Sequence, residues 1–299
     1  MIELRDLKLL TALARHKHFA KAAKDCGMSQ PAFSMRIRNL EQKLGVSIVR
    51  RGNRYQGLTG EGEMIVRRAR TILDDAKALE QEVAASRGEV TGTLMLGVVP
   101  TATAFAAQVV NRLHEVHPRV LVHIDVTTSM AIQQRILDGT IDAGVTYSDS
   151  VPPGLVTITE LYEESYVLLA PEAMVPCGAD VISWQAAADL PLSLLEPGMQ
   201  NRRILDRIFA GLNLKPDVMS ESSGFMSAII MAREGAVATI LPRALADALG
   251  EIAGTRALGL VDAAEMESQA RPICLACLHR TPELTTVASL RRVVAAFVQ

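Results

Sequence analysis

Three observations predict a chain in three parts: a small all-α head with a hairpin wing, one long linker helix, and a two-lobed α/β body. Residues 1–60 hold 12 Lys and Arg against 4 Asp and Glu, a charge of +8, which leaves −10 for the remainder of a chain whose total is −2. Between residues 60 and 88 apolar side chains recur at heptad spacing, and from residue 92 onward strand-like and helix-like segments alternate. At 299 residues, 49% of them hydrophobic, the chain can fill two or three cores. No apolar run approaches the roughly 20 residues that span a bilayer, and MIELRDLKLL reads as an amphipathic helix with no signal-peptide core, so a cytoplasmic protein is expected. The cysteines, Cys26, Cys177, Cys274 and Cys277, are too scattered for a disulfide framework and suit a reducing compartment.

In the head, Leu7, Leu10 and Ala14 mark a first amphipathic helix ending near residues 16–18. A short second helix spans about 19–26, and its Ala22 and Ala23 are small enough to let another helix cross closely. Gly27 supplies the left-handed residue that ends it, Met28 plugs the turn, and Ser29 caps the third helix. Ala32 or Phe33, Ile37, Leu40 and Leu44 turn that helix toward the core, which leaves Gln30, Pro31, Ser34, Met35 and Arg38 on other faces. Pro31 stiffens the first turn, where its missing N–H costs nothing. A helix presented in this way can enter a major groove, with basic and hydroxyl side chains on phosphates and base edges. Residues 46–51 and 55–58 predict a hairpin turning at Gly52-Asn53, with Arg50, Arg51 and Arg54 at its tip beside the nucleic-acid backbone. Candidate contacts to double-stranded DNA are therefore Ser29, Gln30, Pro31, Ser34, Arg36, Arg38, Arg50, Arg51 and Arg54.

This order of elements, with Phe19, Ala22-Ala23, Ser29-Gln30-Pro31-Ala32, Ser34, Ile37, Leu40-Glu41, Leu44-Gly45, Arg51, Leu58-Thr59 and Gly62, resembles the winged helix-turn-helix of LysR-type transcriptional regulators. Val49 and Met35 depart from the family pattern, and Gly60 weakens the start of the next helix. The resemblance implies a DNA-binding transcriptional regulator whose dimers associate further to tetramers through the body, with RNA polymerase as a candidate partner.

Ile65, Ala69, Ile72, Ala76, Leu79 and Val83 follow one another at intervals of four and three residues, a heptad seam among charged positions. Such a seam is expected to pair with a second copy, so that two recognition helices read a pseudo-palindromic operator. Arg87-Gly88-Glu89-Val90-Thr91-Gly92 ends the rod as a hinge. The expected domains are 1–59, 60–88 and 92–299, the last divided into lobe I (92–161 with 268–299) and lobe II (162–267).

In the body, strands at 93–99, 120–127 and 141–147 alternate with helices at 104–115 and 130–138, a right-handed βαβαβ unit. A second series runs through strands at 166–170, 192–196, 218–221 and 237–241 with helices at 200–211 and 224–233; a strand at 272–279 follows, and Thr281-Pro282-Glu283 opens a last helix. Two such lobes, crossing at 161–164 and returning at 267–271, enclose a cleft whose ligand meets strand ends and helix N-termini. The chain offers Pro100, Thr101 and Thr103, then Thr128 and Ser129, then Gln200 and Asn201, and a fourth place at Glu221-Ser222-Ser223. Hydroxyls, amides and helix dipoles favour a small anion such as a carboxylate, with Arg202 as a clamp. The family resemblance extends over this part, implies a two-lobed fold like periplasmic binding proteins, and supports an effector site there.

No GxSxG, GxxxxGK[ST], HExxH or post-strand GxGxxG occurs, so neither an enzyme nor a cofactor is expected. His114 and His117 lack further ligands for a metal. Thiol sensing is the chief rival reading, but Cys274 and Cys277 on one strand face opposite sides. A small-molecule binding protein without DNA contact would leave the basic head unexplained.

Overall fold

The computed structural model describes residues 2–50, 55–87, 89–151, 154, 156–261, 272–280 and 282–298. The chain divides into two compact units, Met1–Gly88 with Pro282–Thr285, and Glu89–Thr281 with Thr286–Gln299.

The first unit is built on helices α1 (Leu4–His16), α2 (Phe19–Asp25), α3 (Gln30–Leu44) and α4 (Gly60–Ala85). Each boundary has a local cause. Lys17 in the left-handed region ends α1, Gly27 at φ 64° turns the chain after α2, Ser29 Oγ accepts from Ala32 N–H at the start of α3, and Gly45 at φ 70° ends α3. Leu9, Leu10, Leu13, Ala22, Ala23, Phe33, Ile37, Leu40, Ile48 and Val66 form its core, with Met28 packed against it. Ala32 is exposed, so Phe33 is the inward residue of that pair. The wing is one antiparallel bridge, Val49 with Leu58, extended by Arg50 N–H to Gly57 O at 3.0 Å; its tip, with Arg51, Gly52, Asn53 and Arg54, lies outside the described residues. Glu41 Oε1 accepts from Ile48 N–H at 2.7 Å and Val49 N–H at 3.1 Å and so fastens the wing strand to α3.

The rod begins inside the head core. Gly62, Val66 and Ala69 are buried, and α4 packs on α1. This corrects the seam at Ala69, which is 1% exposed and already covered by its own chain. Ile65 and Ala76 are half-buried, whereas Ile72, Leu79 and Val83 remain open at 46%, 62% and 48% exposure.

The second unit starts with β1 (Gly92–Val98), α5 (Thr103–Val116), β2 (Val120–Val126), α6 (Ser129–Leu137), β3 (Ala143–Tyr147) and β4 (Val156–Tyr162). It continues with β5 (Tyr166–Pro171), β6 (Val181–Ser183), α7 (Trp184–Ala188), β7 (Pro191–Leu195), α8 (Gln200–Gly211), β8 (Asp217–Ser222) and α9 (Phe225–Arg233). Then come β9 (Thr239–Pro242), α10 (Arg243–Leu249), β10 (Thr255–Val261), β11 (Ile273–Leu278) and α12 (Thr285–Val298). One sheet runs β2-β1-β3-β11-β4, with β1, β2 and β3 parallel and β11 antiparallel to both its neighbours. The other runs β6-β10-β5-β9, and the β7-β8 pair joins it through a bridge between Leu192 and Ala238. Strands β4 and β10, the three-residue β6, and helices α7 and α10 are additions to the expected order. The last helix starts at Thr285, two residues beyond Pro282-Glu283, and Thr281 lies outside the described residues.

Two features set the position of the cleft. Gly144 has no Cβ, and one added there would sit 2.4 Å from Ile132, so α6 lies flush on β3 and carries its first residue to the strand ends. Residues 163–165 link β4 to β5 and carry the chain from one sheet to the other. The expected return at 267–271 lies outside the described residues.

Candidate functional site

On α3 the residues Gln30, Pro31, Ala32, Met35, Arg38 and Asn39 are exposed, Ser34 is half-buried, and Ser29 is an exposed cap. Arg50, also exposed, donates through Nε to Leu58 O at 3.0 Å, which holds its stem against the wing. Arg36 departs from the sequence reading. Its Nε donates to Asp6 Oδ1 at 2.9 Å and its Nη2 to Glu3 Oε2 at 2.8 Å, so the guanidinium ties α3 to the first turn of α1. Asp6 is 3% exposed, and Lys43 Nζ lies 3.7 Å from it. Burial alone would push the Asp6 carboxyl up; the Arg36 hydrogen bond, the Glu3 N–H and the two cations outweigh it and hold it below the usual range. Sequence reasoning missed Asp6. Its signal was the reciprocal cap of Glu3 and Asp6, three residues apart at a helix start.

In the second unit, six of the eight proposed cleft residues meet. Pro100, Thr101, Thr128, Ser129, Gln200 and Asn201 line one cavity of about 180 Å³, mouth included, with Val99, Tyr147, Leu195 and Met199. Thr101 follows β1 in a 3-10 turn, Ser129 opens α6, and Gln200 opens α8 from the other lobe. Gln200 Nε2 donates to Asp149 Oδ2 at 3.2 Å, across the mouth between the lobes. Ser129 and Asn201 are each 2% exposed, and Ser129 Oγ and both amide atoms of Asn201 have no hydrogen-bond partner. A buried polar group left in that state costs about 1–3 kcal/mol, so these three atoms favour a polar occupant, water included.

The other two proposed residues stand apart. Thr103 Oγ1 donates to Pro100 O at 3.0 Å and stiffens the turn. Arg202 is not a clamp: it is 9% exposed, and its guanidinium donates to Asp206, Glu221 and Leu195 O, each at 2.8 Å. Neither Glu221 nor Ser222 lines the cavity; Glu221 holds Arg202, and Ser222 Oγ donates to Gly224 O at 2.8 Å.

Beneath the cavity lies a cluster that sequence reading missed. Glu164, in the 163–165 link and 5% exposed, accepts at Oε2 from Tyr147 Oη–H at 2.8 Å and Tyr166 Oη–H at 2.6 Å. Tyr147 Oη lies 3.2 Å from Thr101 Oγ1. The local sequence sets Tyr166 two residues from Glu164, but nothing there marks the carboxyl as buried, and the phenol that ties it to Thr101, Tyr147, comes from β3.

The cysteines lie elsewhere. Cys274 and Cys277 are buried on β11, Cys26 is half-buried, Cys177 is exposed, and none lines the cavity. Burial, and then the charges of Glu160 and Asp149, push the Cys274 thiol up to about 12. Among the described residues no group of three His, Cys, Asp or Glu could hold a metal ion, and no helix is long and apolar enough to cross a membrane.

The profile described as "Bacterial regulatory helix-turn-helix protein, lysR family" matches residues 4–63, and "LysR substrate binding domain" matches residues 87–299. A probable hydrogen peroxide-inducible genes activator of Streptomyces viridosporus is 33% identical over 196 residues, 65% of this chain and 62% of that protein. The DNA-binding transcriptional dual regulator OxyR of Escherichia coli (strain K12) is 34% identical over 143 residues, 47% of each chain. The matched part thus spans less than two thirds of either relative. In fold, a full-length OxyR from Pseudomonas aeruginosa superposes with a TM-score of 0.71 at 23% identity, covering 98% of this chain and 95% of the other. CbnR, a LysR family transcriptional regulator, gives 0.66 at 20% identity over 100% of both. With a helix-turn-helix profile over the head and a substrate-binding profile over the whole body, the chain belongs to the LysR family of transcriptional regulators.

Proposed function

We propose that the protein binds a pseudo-palindromic DNA operator as a dimer or higher oligomer, and that a small effector in the cleft between the lobes changes how the DNA is held or bent. The observation that carries this reading is the cavity in which Ser129 and Asn201, buried and unpartnered, face residues of both lobes. A ligand satisfying these atoms prefers the arrangement of lobes that brings them together, and that difference in affinity is what can shift the oligomer's geometry. α6 and α8 both begin at the cavity, each adding roughly half a positive charge, and among the described residues no Lys or Arg lines it. The effector we infer is a small monoanion held by hydroxyl, amide and backbone N–H groups.

On the head, Gln30, Ser34 and Arg38 take the base-edge and phosphate roles, Arg50 with Arg51 and Arg54 takes the wing contacts, and Arg36 positions α3. Support comes from a relative in fold, CbnR, whose full-length form is known complexed with its target DNA. Arg38→Ala is expected to weaken operator binding about tenfold and to flatten its salt dependence, since one counterion-displacing contact is lost. Mobility shifts over a salt series check this; an unchanged affinity assigns Arg38 no contact. Thr101→Ala is expected to abolish effector-dependent change in DNA bending while operator affinity stays within about threefold, because the two sites are coupled rather than shared. Bending assays with circularly permuted operator fragments check this, and lost operator binding would make Thr101 structural.

Relatives described as hydrogen peroxide-inducible activators raise thiol sensing as a second reading. The cysteines argue against it, since the cavity holds none and the two on β11 are buried. Peroxide is expected to leave operator binding by purified protein unchanged; a shift reversed by dithiothreitol would favour the second reading.

A further inference from the structure

The unexplained feature of the cleft is a carboxyl group directly behind a site proposed for an anion. Glu164 Oε1 has no partner, and Oε2 accepts both phenols. The groups set against it are Tyr147 from β3, Tyr166 from β5, Tyr162 from β4, Thr101 from the turn after β1 and Asn201 from α8, none of them cationic. Burial pushes this carboxyl up, and hydrogen bonding by Tyr166 and Tyr147, then by the Thr101 hydroxyl and the Asn201 amide, works against it.

The direction of the hydrogen bonds then decides what the cavity can hold. While Glu164 is ionised, the Tyr147 proton is committed to it and the Thr101 hydroxyl turns its own proton inward, to Tyr147 or to the carboxylate, so Thr101 offers the cavity only lone pairs. An anion is repelled twice, by those lone pairs and by the carboxylate. If Glu164 takes a proton on Oε2, the chain reverses: Glu164 donates to Tyr147, Tyr147 donates to Thr101, and the Thr101 hydroxyl turns its proton to the cavity. One proton enters from solvent, none is lost, and the site gains a donor as it loses a negative charge.

We propose that Glu164, acting through Tyr147 and Thr101, makes effector binding proton-linked, so that a small monoanion is bound together with one proton taken up by this carboxyl. The inference rests on the cleft being the effector site proposed above. It makes Glu164 a specificity-determining residue: dianions are excluded, and the regulator responds to anion and acidity jointly. Because Glu164 lies in the 163–165 link between the two sheets, the proton arrives at a peptide on which the lobes hang.

The test is calorimetric titration of the full chain with sodium nitrate, formate and acetate, from about pH 5.5 to about pH 8.5, in buffers of different ionisation heat. The expected result is uptake of about one proton per anion, and affinity falling about tenfold per pH unit above the pKa of the free site. Glu164→Gln, permanently neutral, is expected to bind the same anion with no proton uptake and with affinity independent of pH. Tyr147→Phe is expected to weaken binding at every pH. Proton uptake persisting in Glu164→Gln, or wild-type binding without a proton, overturns the inference alone. Binding of none of the three anions at any pH overturns it too, and if operator binding also ignores small anions, the effector reading falls with it. Should Glu164→Gln fail to fold, the wild-type proton count decides.

Discussion

Gly62→Ala is expected to destabilise the head by about 3 kcal/mol and to abolish specific DNA binding. A Cβ built on Gly62 falls 2.1 Å from the backbone oxygen of Ile48 and 3.0 Å from its carbonyl carbon. The obstacle is main chain, which no rotamer change can move. The residues it presses on are tied down: Thr59 N–H donates to Ile48 O at 2.9 Å, Thr59 Oγ1 accepts from Gly62 N–H at 2.9 Å, and Ile48 N–H is held by Glu41. A methyl group must therefore pry the start of α4 from the wing strand, and Ile48, fully buried, goes with it. Gly60→Ala is the matched control, because a Cβ there meets nothing within 4 Å, and a neutral or slightly stabilising change is expected. Thermal melts of the two full-length variants check this pair; equal melting temperatures would show that the approach at Gly62 is not needed.

Leu79→Glu combined with Ile72→Glu is expected to convert the protein to monomers that fold normally and bind the operator about a hundredfold to ten-thousandfold more weakly. Both side chains are open on α4, so their loss leaves the chain's own core intact, whereas glutamate at either position would place like charges across a paired seam. The affinity falls because a monomer reads one half-site, without the high effective concentration that dimerisation gives the second head. Ala69→Glu separates the two roles of the rod: Ala69 is covered by its own chain, so this variant is expected to lower stability before it alters association. Sedimentation velocity with parallel mobility shifts checks the prediction, and a double variant that remains dimeric assigns the interface elsewhere.

What could be read from the sequence was whatever is written at short range. The helix-turn-helix was legible because Gly27, Ser29 and Gly45 each encode a boundary and Phe33, Ile37 and Leu40 keep a helical period. The βαβαβ unit was legible because its strands are apolar runs between helices of ordinary length. Strand β10 was not: its residues alternate only partly in burial, and its partners β5 and β6 lie far away in sequence. α10 buries none of its residues completely, which leaves a weak periodic signal.

The same distinction divides the sites. Turn and cap residues such as Thr101, Ser129 and Gln200 could be placed because strand ends and helix starts are local signals, and the fold converges them on one cavity. Arg202 and Arg36 could not, since a guanidinium looks free until its partners are known, and here Glu221 and Asp6 come from distant segments. Glu164 needed both tyrosines in place before it stood out at all.

We propose a cationic head, paired through a helical rod, that reads two half-sites under the control of a cleft. Selection of duplexes from a random pool by the full chain, followed by affinity measured over a salt series, tests it most directly. The expected result is enriched sequences with a dyad, protection of two half-sites on one face of the duplex, and an affinity that falls steeply as salt rises. A monomer that enriches no sequence and holds no duplex at low ionic strength would contradict it.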